Sequence, residues 1–326
     1  MYGPLISIKL GTQLVVVASS PASATEILKT QDRLLSVRSV PKVATYVLSV
    51  IDQHSIVFSS DLSNHWKFLR EFCRTHLFSP KAVESQTALR EKKVSKMIHF
   101  LRSRNGETVK ISEILFDLQG LRKQIQVYQN QLINIWSEIV KEKRQAISHG
   151  SSDIFDAMID SGFLDLQINI LLTELIGVGY DTTTATTEWA MTKLLRNKGT
   201  MHKLQAELTS KFGENDIITE SNISELPYLG VTQTVWEDAL SLKPEQFLDS
   251  NEDFRGQDFG IIPFGAGRTI CPGLGFARQE IHLILTSLIH YFEWSVPNGK
   301  DPMQLDMEDK FGVTLHKEKP LLIVPM

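Results

Sequence analysis

The stretch Pro263-Phe264-Gly265-Ala266-Gly267-Arg268-Thr269-Ile270-Cys271-Pro272-Gly273 constrains this chain more than any other. It puts one cysteine on a glycine-rich loop just before a helical pattern, with an arginine three residues ahead of the sulfur and an aromatic seven ahead. Glycine tolerates positive φ and lets a backbone pass close to a flat ligand. The amides around Gly273 and Leu274, at a helix N-terminus, can point at the sulfur and favour its anionic form. Arg268 can fork onto a haem propionate, and Phe264 can shield the sulfur from water. These are the parts needed to hold a haem iron by one thiolate, a ligand that pushes electron density onto iron and favours O–O cleavage. A lone cysteine is more often a buried structural residue, but the surroundings of Cys271 reverse that preference. Phe-x-x-Gly-Arg-x-x-Cys-x-Gly, as it stands here, fixes five positions, each met by chance roughly one time in twenty, on the order of one accidental match in ten thousand over this chain.

Composition is that of an ordinary globular protein. The 326 residues are 42% hydrophobic and 22% charged, with a net charge of −4 that gives no reason to expect a nucleic-acid partner. Cys73 and Cys271 are the only cysteines, which excludes a disulfide framework and a four-cysteine metal site. A reduced, cytosol-facing compartment fits. No run reaches the ~18 apolar residues of a transmembrane helix, and Met1-Tyr2-Gly3-Pro4 does not open a secretory signal.

The hydrophobic pattern predicts a mainly α chain with small β-sheets. Leu5–Lys9 and Gln13–Ala18 read as a hairpin around Gly11-Thr12, and Ser20 caps a helix near Ala22–Thr30. Helical periodicity covers 62–77, 81–102, 108–116, 118–148, 154–161, 164–197 and 200–212, and the segment from Cys271 to about Phe292. Two short strands, near 313–317 and 321–324, close the chain.

The longest of these patterns, 164–197, carries Gly177-Val178-Gly179-Tyr180-Asp181-Thr182-Thr183-Thr184 in its middle. Each interior glycine costs about 1 kcal/mol relative to alanine, and threonines that bond back to earlier carbonyls bend a helix. Stability does not ask for such a sequence, whereas a polar groove does. Asp181 and Thr182 form an acid–alcohol pair able to relay protons to iron-bound dioxygen; a packing notch with a buried, satisfied aspartate is the competing reading. Trp66 and Arg70, four apart, share a helix face and can both reach a propionate, or simply line an amphipathic helix.

Taken together, these blocks resemble the cytochrome P-450 superfamily of haem-thiolate monooxygenases, in particular its plant microsomal branch. The haem loop matches at Phe264, Gly267, Arg268, Cys271 and Gly273. The oxygen-activation motif matches at Gly179, Asp181 and Thr182, with Val178 where the family has Ala or Gly, and the Trp-x-x-x-Arg pair matches at Trp66 and Arg70. The resemblance implies a haem b (iron protoporphyrin IX) ligated by Cys271. Trp66, Arg70 and Arg268 would hold its propionates, Gly179 would give it clearance, and Asp181 and Thr182 would deliver protons. It also implies electrons from NADPH through a flavoprotein cytochrome reductase, met by basic residues around Lys67 and Arg74. The substrate would be small and apolar, and the location the cytosolic face of the endoplasmic reticulum membrane, or the cytosol for a chain without an anchor. Blocks such as Gly120-Leu121-Arg122-Lys123-Gln124 and Trp236-Glu237-Asp238 resemble plant hydroxylases of alkaloids and terpenoids. Substrate contacts are expected from 36–56, Thr173, Ile176 and the turn at Phe311-Gly312-Val313.

The chain also departs from the family. Gln246 replaces the arginine of Pro-Glu-Arg-Phe, the Glu-x-x-Arg helix is missing after Leu226-Pro227-Tyr228-Leu229, and pieces are absent near 116–118 and 229–235. No N-terminal anchor precedes Tyr2-Gly3-Pro4. One catalytic domain over 1–326, its haem fold incomplete, is the expectation. Two functional readings follow: a monooxygenase, or a non-catalytic remnant that binds haem poorly or not at all.

Overall fold

A computed structural model describes residues 3–39, 54–118, 125–145, 153–213, 216–223, 226, 255–312 and 314–326. Gly120–Gln124, Trp236–Asp238, Glu245, Gln246, the gap near 229–235, most of 36–56 and Val313 lie outside them. Residues 1–74 with 250–274 form one compact unit, and 75–249 with 275–326 form another.

In the first unit β1 (Leu5–Leu10) and β2 (Gln13–Ala18) pair antiparallel, with Leu10 opposite Gln13 and Gly11 at φ 60° in the turn. Ser20 caps α1 (Pro21–Thr25): its hydroxyl accepts from Ser23 N–H while the Ser23 side chain answers Ser20 N–H. The chain continues as one widened π turn, Glu26–Thr30, and a short α2 (Asp32–Leu35). The predicted helix at 62–77 is α3 (Asn64–His76), which buries Trp66, Leu69, Phe72 and Cys73 at three- and four-residue spacing.

In the second unit the pattern at 81–102 breaks at Gln86 into α4 (Pro80–Ser85) and α5 (Thr87–Ser103). The helix expected at 108–116 starts late. Val109–Lys110 is strand β3, because Ile323 and Leu322 pair with it, and α6 (Ile111–Leu118) follows. Helices α7 (Ile125–Gln145), α8 (Ile154–Asp160, capped by Asp153), α9 (Asp165–Arg196), α10 (Lys198–Lys211), α11 (Glu220–Ile223) and α12 (Leu274–Tyr291) come next. Strand β4 (Trp294–Ser295) joins β3 on the two edges of β7 (Leu322–Pro325), and β5 (Asp309–Lys310) pairs with β6 (His316–Lys317). The core lies among α5, α6, α9, α10 and α12, where Leu101, Ile111, Leu204, Leu283 and Leu288 are fully buried.

A charged group crosses this core. Arg90 on α5 meets Glu220 of α11 bidentately, at 2.5 Å from Nε and 2.7 Å from Nη2, with side-chain exposures of 6% and 9%. Its Nη2 also donates to Val83 O and to Gln279 Oε1 of α12, and the guanidinium lies over the Phe276 ring.

His282 on α12 is pushed down to about 4, first by burial and then by repulsion from Arg278. An unfolded histidine titrates near ~6.5, so between those values the unfolded chain binds a proton that the fold refuses. The stability this group contributes is complete above pH ~6.5 and is lost as pH falls toward 4. Urea midpoints are expected to drop between pH 7 and 5, with a shallower drop in His282→Gln. Equal slopes in the two proteins contradict this.

Candidate functional site

In the first unit, the cysteine loop is shaped by its glycines. Gly265 and Gly267 take φ of 71° and 65°, and Gly267–Thr269 forms a single 3-10 turn. The loop closes on itself where Cys271 N–H donates to Phe264 O at 2.9 Å, and the Phe264 residue is half-buried. A Cβ on Gly267 would lie 2.1 Å from the carbonyl oxygen of Leu28 in the π turn. Glycine is required there by packing against protein backbone as well as by φ.

Cys271 is a free, half-buried thiol. Its pKa is raised, because burial outweighs the Gly273 N–H, Arg70 and Arg38, each of which favours the thiolate. The Gly273 N–H favours the thiolate, as expected of a helix-terminal amide, and burial outweighs it. Coordination to a metal supplies the deprotonation itself.

The expected propionate donors have protein acceptors. Arg70 Nη2 donates to Ile270 O at 2.5 Å and stacks 5.0 Å over the Trp66 ring. The single indole N–H of Trp66 is spent on Ile56 O at 3.1 Å. Arg268 Nε pairs with Asp32 Oδ2 at 2.9 Å. Each guanidinium keeps further N–H groups for a second acceptor, whereas the indole does not. Sequence reasoning missed Arg38, which donates to Val57 O at 2.9 Å and whose charge reaches both Arg70 and Cys271. A single arginine in an irregular segment carries no signal.

In the second unit, α9 is continuous for 32 residues through its glycines. Val178, Gly179 and Thr182 are exposed midway along it, while Thr183, Thr184 and Ala185 opposite are buried. A Cβ on Gly177 or Gly179 would meet nothing within 4 Å. Thr182 Oγ1 donates to Val178 O at 2.8 Å, the back-bond its position predicts. Tyr180 is pushed up to about 12, mainly by burial. Asp181 is not the buried aspartate of the competing reading. It is 37% exposed and bonded through Oδ1 to His316 Nε2 at 2.9 Å. His316, on the two-residue strand β6, was not legible as a site residue. Of the expected substrate contacts, Thr173 bonds back to Asn169 O and Phe311 is 95% exposed.

Within the first unit this donor set suits a thiolate-held haem: one sulfur on a glycine loop, bonded by the Gly273 N–H, with the charges of Arg70 and Arg38 favouring its anionic form.

Comparison with known proteins agrees. The cytochrome P450 family model matches residues 1–119, 92–232 and 230–324. The chain belongs to the cytochrome P450 family. A probable (S)-N-methylcoclaurine 3'-hydroxylase isozyme 2 of Coptis japonica is 35% identical over 425 aligned positions, covering 99% of this chain and 86% of that protein. Geraniol 8-hydroxylase of Catharanthus roseus is 30% identical over 434 positions, covering 99% and 87%. The plant branch of the family is thus the one this chain matches. Family members are monooxygenases, hence oxidoreductases. An alignment of 425 positions over 326 residues means that the Coptis protein carries stretches this chain lacks. Among solved structures, a zebrafish cytochrome P450 with progesterone superimposes at TM-score 0.76 with 18% identity, over 99% of this chain and 96% of that one. That likeness supports the mainly helical P450 fold with its small antiparallel sheets.

Proposed function

We propose that this chain is a haem-thiolate monooxygenase that hydroxylates an apolar plant alkaloid or terpenoid, with NADPH electrons delivered by a cytochrome reductase. The carrying observation is Cys271 on its glycine loop, where the Gly273 N–H and the positive charges of Arg70 and Arg38 favour the thiolate. When bound, haem b supplies the activation of dioxygen, one atom of which enters the substrate while the other leaves as water. Cys271 is the residue to ligate it, and Phe264 the one to keep water from the sulfur. Arg70 and Arg268 have N–H groups to spare for its propionates. Gly179 leaves room on its helix face, and Asp181 and Thr182 hold and pass protons. The relatives' names support an alkaloid such as (S)-N-methylcoclaurine, or a monoterpenol, as substrate class.

The reductase reading places the chain at the cytosolic face of the endoplasmic reticulum. Among the described residues no helix is long and apolar enough to cross a membrane. Of the basic residues proposed to meet the reductase, Arg74 is paired with Glu71 at the surface and Lys67 reaches Asn64.

One observation favours a second reading, that of a remnant that no longer loads haem: the chain is shorter than the stretch over which its relatives align. The reduced carbon monoxide difference spectrum decides between them. Expression with haem supplied is expected to give a strongly red-shifted Soret band that Cys271→Ala abolishes. Absence of haem uptake leaves the remnant reading standing, and an unshifted band in the wild-type protein removes Cys271 as ligand.

A further inference from the structure

Asp181 occupies the acid position of the oxygen-activation motif, and its carboxylate is held by an imidazole from far along the chain. His316 Nε2 lies 2.9 Å from Asp181 Oδ1, across 135 residues of sequence. A carboxylate on a half-exposed helix face would otherwise choose among staggered rotamers. A charge-assisted or neutral N–H···O bond of this length selects one of them.

Other contacts hold the imidazole's own strand in place. Strand β6 pairs with β5, His316 standing opposite Lys310. Trp189 Nε1 on α9 donates to the carbonyl of Leu315, the residue before His316, at 2.9 Å. Lys317, the residue after it, lies over the Trp189 ring at 4.5 Å and donates to Asp306 O. Further along α9, Glu188 accepts from Leu321 N–H at 2.8 Å and Arg196 donates to Leu305 O at 2.8 Å. The hairpin is thus fastened to α9 by Trp189, and the chain on either side of it by Glu188 and Arg196, without any help from the His316 ring. The ring itself reaches the one carboxylate that stands next to Thr182. Thr182, the next residue along α9, directs its hydroxyl hydrogen back to Val178 O, which leaves the oxygen with capacity to accept a further hydrogen bond.

We propose that His316 is a positioning residue for proton delivery, holding the Asp181 carboxylate in one orientation beside the Thr182 hydroxyl. This rests on the reading above that Asp181 and Thr182 pass protons. Losing the hold leaves the alcohol and the fold in place but lets the acid wander. Protons then arrive late, and reduced oxygen escapes as hydrogen peroxide instead of entering substrate.

Two measurements test it. In the ligand-free protein, nitrogen-15 spectra of the histidine rings are expected to show a His316 Nε2 proton protected from solvent exchange, and Asp181→Ala is expected to remove that protection. An Nε2 proton that exchanges freely in the wild-type protein overturns the proposal, whether or not haem loads. In the haem-loaded enzyme with its reductase, His316→Leu is expected to yield roughly tenfold less product per NADPH, below the ~10²–10⁴ contributed by a positioned proton donor. Hydrogen peroxide should rise in step, while the carbon monoxide spectrum and urea midpoint stay put. His316→Gln, which retains an N–H donor, should restore most of the coupling. Unchanged coupling in His316→Leu, or equal losses in both variants, overturns the proposal. A wild-type chain without the red-shifted Soret band defeats the monooxygenase reading instead and leaves the exchange measurement to decide the Asp181–His316 hold.

Discussion

Glu220→Gln is expected to lower the unfolding free energy by about 3–5 kcal/mol, the usual cost of removing one partner from a buried ion pair. The expectation rests on burial. At 6% and 9% exposure, Arg90 and Glu220 lie beyond the reach of the salt screening that makes surface pairs nearly worthless. Glutamine cannot neutralise the guanidinium, and Val83 O, Thr87 Oγ1 and Gln279 Oε1 offer it dipoles only. Thr87 Oγ1 loses a charged acceptor as well. Replacing both partners at once, as Arg90→Met with Glu220→Leu, should recover most of the loss, since apolar groups of similar volume fill such sites at little cost. Urea unfolding of the three proteins separates the cases. A loss below ~1 kcal/mol in Glu220→Gln would mean that the pair behaves as an exposed one. A double variant as unstable as the single would mean that the polar network, and not the lone charge, sets the cost.

This pair also bears on what sequence reasoning could see. The stretch where the Glu-x-x-Arg helix was expected, and Gln246 with it, lies outside the described residues. Arg90 and Glu220 form a network, between α5, α11 and α12, that no spacing announced. Helices were legible because periodicity is local: the apolar patterns at 164–197 and 271–292 became α9 and α12 with ends shifted by a few residues. Strands β3, β4 and β5 were not, because each is two residues long and exists only through a distant partner, as Val109 does through Ile323.

The site divides in the same way. Cys271, Gly267 and Asp181 stand in contiguous motifs and could be read directly. Arg38 and His316 act by through-space contact and could not. The N-terminal amide that favours the Cys271 thiolate is visible in the sequence, and the burial that outweighs it is not. Trp66 was matched as a donor to an anion, yet its only N–H is spent on a carbonyl ten residues earlier. A motif fixes which residues meet, but the partners of each donor are settled by packing.

Gly267→Ala is expected to cost about 2–5 kcal/mol and to abolish the red-shifted Soret band. Two terms add. An L-residue at φ 65° gives up roughly 1–2 kcal/mol against glycine, and overpacking against a fixed neighbour typically costs about 1–3 kcal/mol. The neighbour here is fixed, since the atom 2.1 Å from the new Cβ is the backbone oxygen of Leu28, which cannot swing aside like a side-chain tip. Relief requires either the π turn or the haem loop to move. The loop is the part that carries Cys271, and a shift in it strains the Arg268–Asp32 pair, the Arg70 donation to Ile270 O and the bonds from Ile270 N–H to Gly267 O and Cys271 N–H to Phe264 O. Moving it displaces Cys271 four residues on, so stability and haem spectrum should fail together. Gly275→Ala is the control: it lies in the first turn of α12, where a Cβ meets nothing, and should be neutral or stabilising by up to ~1 kcal/mol. If the two variants match in urea midpoint and in Soret band, close packing against Leu28 is not what requires glycine at 267.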